Sequence, residues 1–261
     1  MKRFHPAEEL LQSLGITEPS EIDLEAIAYF LGIKVKYHPL EGCEARILGV
    51  GDKGIITVND QCSFGRQRFS IAHELGHWKY HRGRIMVCRS DEIGNFGGGS
   101  NKTSSAEKHA DLYAANLLMP SYLFVPVLRS FRKFDFDTIK KIRDIFQVSL
   151  TAAAFRCVEI GDAPAVLISH NHQGRNWFFR SKLVPDRWFP REDLQPESSA
   201  MDLLFRNNNL MSATPSKYVS AAAWFDRYEA RRYEVLEQSI KIGPAEILTN
   251  LVITEDDMLE D

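Results

Sequence analysis

Ile71-Ala72-His73-Glu74-Leu75-Gly76-His77-Trp78 is the stretch on which the reading of this chain turns. On an α-helix His73 and His77 stand one turn apart and project from the same face. Two imidazoles so placed can hold one divalent metal, and Glu74 between them can serve as general base toward water. Neither the preceding Arg66-Gln67-Arg68-Phe69-Ser70 nor the following Lys79-Tyr80-His81 contains a helix breaker. At about 100° per residue, Ile71, Leu75 and Trp78 cluster on one side of that helix and the histidines lie on the other. One face can anchor in a core while the other presents ligands. Gly76 costs about 1 kcal/mol relative to Ala in a helix interior. Something is therefore expected to approach the backbone there, a strand or a bound peptide.

A catalytic zinc usually takes three protein ligands and keeps one position open. His81 continues the four-residue spacing but lies about 12 Å along the axis from His73. That is too far to share a metal, and His81 is expected to cap the helix C-terminus, where positive charge is favoured. Glu107 is the better candidate. It sits in Ser104-Ser105-Ala106-Glu107-Lys108-His109-Ala110-Asp111-Leu112-Tyr113-Ala114-Ala115-Asn116-Leu117-Leu118-Met119-Pro120, a helical segment with serines at its start and proline at its end. Glu107, Asp111, Ala114 and Leu118 share one face, and the alanines permit close packing against the first helix. Asp111, one turn after Glu107, can accept a hydrogen bond from the non-ligating nitrogen of a metal histidine. His109 points away from Glu107 and stays outside the ligand set.

The pairing of Ile71-Ala72-His73-Glu74-Leu75-Gly76-His77 with Glu107, Ala110-Asp111, Tyr113-Ala114-Ala115 and Leu117-Leu118-Met119-Pro120 resembles the ImmA/IrrE family of metallopeptidases over roughly residues 20–160. That resemblance implies an intracellular zinc-dependent endopeptidase of the gluzincin kind. Carried over by position, His73, His77 and Glu107 would be the metal ligands and Glu74 the base. It further implies a protein substrate, since several members cleave an Xre-type repressor encoded beside them and so release stress-response or mobile-element genes. Tyr113 stands where the family usually has Phe, a change of core packing. Zinc is the expected cofactor, although a two-His, one-Glu set also accepts manganese. The expected chemistry is hydrolysis of a peptide bond, with Tyr80, Tyr113 and Tyr122 present as candidate oxyanion donors.

Composition is compatible. The chain has 261 residues, 44% hydrophobic content and a net charge of −3, enough apolar material for a proper core and no global basic field for nucleic acid. No apolar run follows Met1-Lys2-Arg3-Phe4-His5-Pro6, and none elsewhere approaches a membrane span, so a soluble cytoplasmic protein is expected. Cys43, Cys62, Cys88 and Cys157 are scattered without C-x-x-C spacing and read as reduced, mostly buried thiols. Cys88 follows the motif closely enough to be a conceivable thiolate inhibitor, though buried packing is the better reading.

The expected fold is α+β: a zincin-like metallopeptidase domain at 1–130, a helical pair at 131–160 and a β-rich region at 161–261. Ser20-Glu21-Ile22-Asp23 begins a helix that Gly32 ends, and Ile33, Val35 and Tyr37 alternate as a strand stopped by Pro39. Ala45–Val50 and Ile55–Val58 flank Gly51-Asp52-Lys53-Gly54 as a hairpin. Gly94–Thr103 reads as a connector or flap, without the phosphate-loop pattern. Asp135–Phe146 and Ser149–Glu159 form a helix-turn-helix pattern around Gln147-Val148, which supplies the rival reading of a DNA-binding regulator. Its second helix offers few side chains able to reach bases. Beyond Gly161, strands are expected at Ala165–Ser169, Trp177–Arg180, Arg231–Ser239 and Glu246–Ile253, with His170 and His172 on a turn and Glu255–Asp261 as a frayed acidic tail.

Overall fold

The computed structural model describes residues 4–82, 86–89, 105–205 and 212–260, with 86–89 described as backbone. They form two compact units at boundaries other than 1–130, 131–160 and 161–261. Within the described residues the first unit holds the chain up to Val127 together with Arg143–Ser149, and the second holds Leu128–Ile142 and the chain from Leu150 onward. Both mix helices and a small sheet, as an α+β chain should.

In the first unit α1 (Pro6–Ser13) and α2 (Leu24–Phe30) precede β1 (Ile33–His38), β2 (Cys43–Val50) and β3 (Lys53–Asn59). The start of α2 differs in detail from the expected capping box. Glu18 and Glu21 form the box, around a 3₁₀ turn at Pro19–Glu21. Asp23 then caps α2 itself, accepting from the Glu25 and Ala26 amides at 3.0 Å each. With β4 (Met86–Arg89) the strands run in the order β1-β3-β2-β4. β1 is parallel to β3, and the other pairings are antiparallel. The β2–β3 hairpin is tighter than its sequence implies. Val50 pairs with Lys53, leaving Gly51-Asp52 as the turn, and Gly49 faces Gly54.

That glycine pair makes a slot. A Cβ on Gly49 would lie 2.2 Å from Cζ3 of Trp78, and one on Gly54 would lie 3.1 Å from the same atom. The indole of Trp78 therefore seats α3 (Phe64–His81) on the sheet. The other side of α3 packs against α4 (Ser105–Leu118). Every residue from Phe69 to Trp78 is buried, so α3 has no wet face over that stretch. Gly76 is where the helices meet: a Cβ there would be 2.9 Å from the Cα of Ala110. The backbone expected to approach Gly76 is thus a neighbouring helix, neither a strand nor a bound peptide.

In the second unit α7 (Leu150–Ile160) lies against β5 (Ala165–Asn171) and β6 (Gly174–Arg180). Phe155 stacks with Trp177 and Phe179, at centroid distances of 5.0 and 4.8 Å. α7 thereby belongs to the second unit. Its junction with α6 (Phe136–Phe146) is Gln147, at φ 54°, a left-handed residue that stops one helix before the next begins. The sheet is antiparallel in the order β6-β5-β9-β8-β7, with β7 at Lys217–Ser220, β8 at Glu234–Gly243 and β9 at Glu246–Ile253. Its core includes Trp188, Trp224, Phe225 and Leu251, and α8 (Ser199–Phe205) contributes Leu203 and Leu204.

Two local expectations are corrected here. His170 lies within β5 rather than on a turn; it is 1% exposed, with its ring 5.8 Å from that of Trp224. The acidic tail is not frayed over Asp256–Met258, which forms a 3₁₀ turn with Met258 fully buried. The indole of Trp188 donates to the Met258 carbonyl at 2.6 Å. Gly94–Thr103 lies outside the described residues. Among the described residues no single helix is long and apolar enough to cross a membrane.

Candidate metal centre

Helical spacing brings His73 and His77 to one side of α3, and the close approach at Gly76 brings α4 over them. The Nε2 atoms of His73 and His77 are 3.0 Å apart. Glu107 reaches both, with Oε2 3.1 Å from His73 Nε2 and Oε1 3.4 Å from His77 Nε2. All three side chains are buried. Bonds of about 2.0–2.1 Å to a tetrahedral zinc imply donor–donor edges of about 3.3–3.4 Å. The observed separations are close to that figure, so this donor set fits a single cation and could hold one.

The surrounding charges point the same way. Asp111 Oδ1 lies 2.8 Å from His73 Nδ1, which keeps the proton on Nδ1 and turns the Nε2 lone pair toward the site. Burial works against a charge on His73, but the hydrogen bonds to Asp111 and Glu107 outweigh it and raise its pKa from 6.5 to about 9. Burial likewise opposes ionisation of Glu107, yet its hydrogen bonds to His73 and His77 lower its pKa from 4.5 to about 2. The pocket demands positive charge. A proton on His73 supplies some of it, whereas a divalent ion would be shared by Glu107 and both imidazoles.

Glu74 is fully buried within the same helical turn and contributes its charge to His73. His81, expected at a helix cap, has its Nδ1 3.3 Å from Nδ1 of His77. His81 is the last residue of α3, at the helix end as expected, and it adds a ring-to-ring contact with His77 that the spacing alone did not announce. His109 keeps away from the ligands and lies against Tyr80, with ring centroids 5.9 Å apart. Of the tyrosines, Tyr122 is committed elsewhere: its hydroxyl donates to the Ile16 carbonyl at 2.8 Å. Cys43 and Cys62 are half-buried free thiols, and burial pushes the pKa of Cys157 up to about 12. The Cys88 side chain lies outside the described residues.

Residues 30–158 match the IrrE N-terminal-like domain, a peptidase family. This part of the chain belongs to that family. The IrrE-like segment spans β1 through most of α7 and so includes all three candidate ligands, Glu74 and Asp111. No curated protein matches the chain. A solved Mycobacterium tuberculosis transcriptional regulator is similar in fold, with a TM-score of 0.57 and 12% identity, over 95% of this chain and 86% of that one.

Proposed function

We propose that the IrrE-like segment is a zinc-dependent endopeptidase. The observation that carries this reading is the buried convergence of His73, His77 and Glu107 within 4.8 Å of one another, on the two helices that a gluzincin-type site requires. A divalent cation held there supplies Lewis acidity, polarising a carbonyl and acidifying water. Zinc suits the donor set, and manganese is the alternative occupant. The chain's own residues do the rest. Asp111 fixes the tautomer of His73, Glu107 closes the ligand set from α4, and the Glu74 carboxylate takes a proton from the attacking water and passes it to the leaving amine.

The substrate we favour is an Xre-type repressor, cut to release stress-response or mobile-element genes; family resemblance supports this choice. DNA binding through 135–159 is less well supported. Ala153 to Val158 of α7 are buried, and Arg156, 4% exposed, pairs with Glu159 at 2.6 Å. That leaves little on this helix to read a base edge.

Glu74→Gln tests the reading: zinc should stay bound at one equivalent, while cleavage of a co-encoded Xre-type repressor falls by at least about 10²-fold. Peptide hydrolysis near the wild-type rate in that variant would remove Glu74 as the base. Intact repressor after incubation with the zinc-loaded wild type, alongside operator binding by this chain, would favour the DNA-binding reading.

A further inference from the structure

The side of α3 opposite the two histidines carries a second site. Leu75, Trp78, Lys79 and Arg82 project there, and with Leu10 and Leu31 they line a cavity of about 250 Å³. Its described lining includes no acidic residue. Trp78 is only 5% exposed, and among the described residues its Nε1 has no hydrogen-bond partner. The reason is visible in its packing. The benzo end of the indole, at Cζ3 and Cη2, occupies the Gly49–Gly54 slot, so the opposite edge with the N–H is turned away from the sheet.

A buried N–H without an acceptor is costly, and a native structure that keeps one calls for an explanation. Two cations, Lys79 and Arg82, line the same cavity. The Arg82 guanidinium carbon sits 4.4 Å from the centroid of the Trp78 ring, and among the described residues neither Arg82 nor Lys79 forms an ion pair. Leucine walls, a donor and two cations that lack partners among the described residues together define a complement: an apolar stem ending in an anion that accepts hydrogen bonds.

We propose that this cavity binds a small aliphatic monocarboxylate, its stem between Leu10, Leu31 and Leu75 and its carboxylate accepting from the Trp78 indole beside Lys79 and Arg82. The site is distinct from the metal centre. It does not rest on the hydrolytic reading, because its occupancy can be measured without metal or substrate. Leu75 and Trp78 share α3 with His73, Glu74 and His77, so a ligand held there would brace the helix that carries the metal ligands.

Hexanoate is a suitable probe, with hexylammonium and hexanol as matched controls, read on the full chain with ¹⁵N-labelled tryptophan. The Trp78 indole signal is the one missing from Trp78→Phe; should that variant not fold, it is the signal moved most by Arg82→Ala at an exposed position. The expected result is a saturable shift of that signal with hexanoate and none with hexylammonium. Affinity should fall about tenfold in Lys79→Ala/Arg82→Ala, as the loss of a charge-assisted contact implies. The proposal is overturned if hexanoate gives no saturable shift up to about 10 mM, if hexanol binds as well as hexanoate, or if the double variant binds unchanged.

Discussion

At the scale of single residues, the candidate metal centre is shaped by groups outside its three candidate ligands. Asp111 holds His73 Nδ1 at 2.8 Å, and removing such a partner typically costs about 10–100-fold in metal affinity. Asp111→Asn should show a loss of that size in chelator competition while leaving the fold intact; unchanged affinity would take Asp111 out of the site. The metal-free chain should also carry a pH signature. Glu107, its pKa lowered from 4.5, contributes stability above that value and loses it as pH falls toward about 2. His73, its pKa raised from 6.5, contributes below that value and loses it as pH rises through about 9. For these two groups the metal-free protein is most stable between pH 4.5 and 6.5. Thermal unfolding across pH should show the decline above that window, and zinc should abolish it by supplying the positive charge that the proton otherwise provides. That His73 and His77 converge was legible because helical spacing dictates a shared face. The contact of His81 with His77 was not, because a residue in the last turn can sit at the helix end and touch the preceding turn at once.

At the scale of elements, two glycine contacts fix where α3 sits. Gly76→Ala would push α4 away at Ala110, and Gly49→Ala would drive a methyl into the Trp78 ring. Each should destabilise by about 1–3 kcal/mol, the usual cost of overpacking. Gly76→Ala should also lower metal affinity, since it separates the helix bearing Glu107 from the helix bearing the histidines. Chemical denaturation beside zinc titration would separate the two effects, and a Gly76→Ala protein with full stability would contradict the close approach. The sequence showed that Gly76 needed a neighbour but could not say which, because a backbone contact leaves no mark at its other end. The β2–β3 hairpin was legible from its alternating apolar residues, and its two-residue turn was hidden by the glycines on either side. α8 and β7 were not anticipated. Ser199–Phe205 and Lys217–Ser220 are too short to develop a periodicity.

At the scale of the whole chain, the second unit owes its closure to its last residues. Met258 is fully buried, and its carbonyl receives the Trp188 indole. Ending the chain after Glu255 should therefore cost about 2–5 kcal/mol, from a large buried side chain lost and a donor left orphaned. Calorimetry would read this as a lower Tm, and an unchanged Tm would show that the terminal turn is dispensable. Acidic composition suggested a solvated end here. One methionine among the carboxylates decides otherwise, and its partner Trp188 lies 70 residues earlier, beyond the reach of any local pattern.

The pairing of Gly49 with Gly54 has a consequence for how this protein matures. A strand slip of a single residue would set a side chain opposite one of these glycines and deny the indole its socket, leaving the histidine-bearing helix without an anchor. Misregistered molecules should then fail to take up zinc, so that metal occupancy itself certifies correct strand pairing.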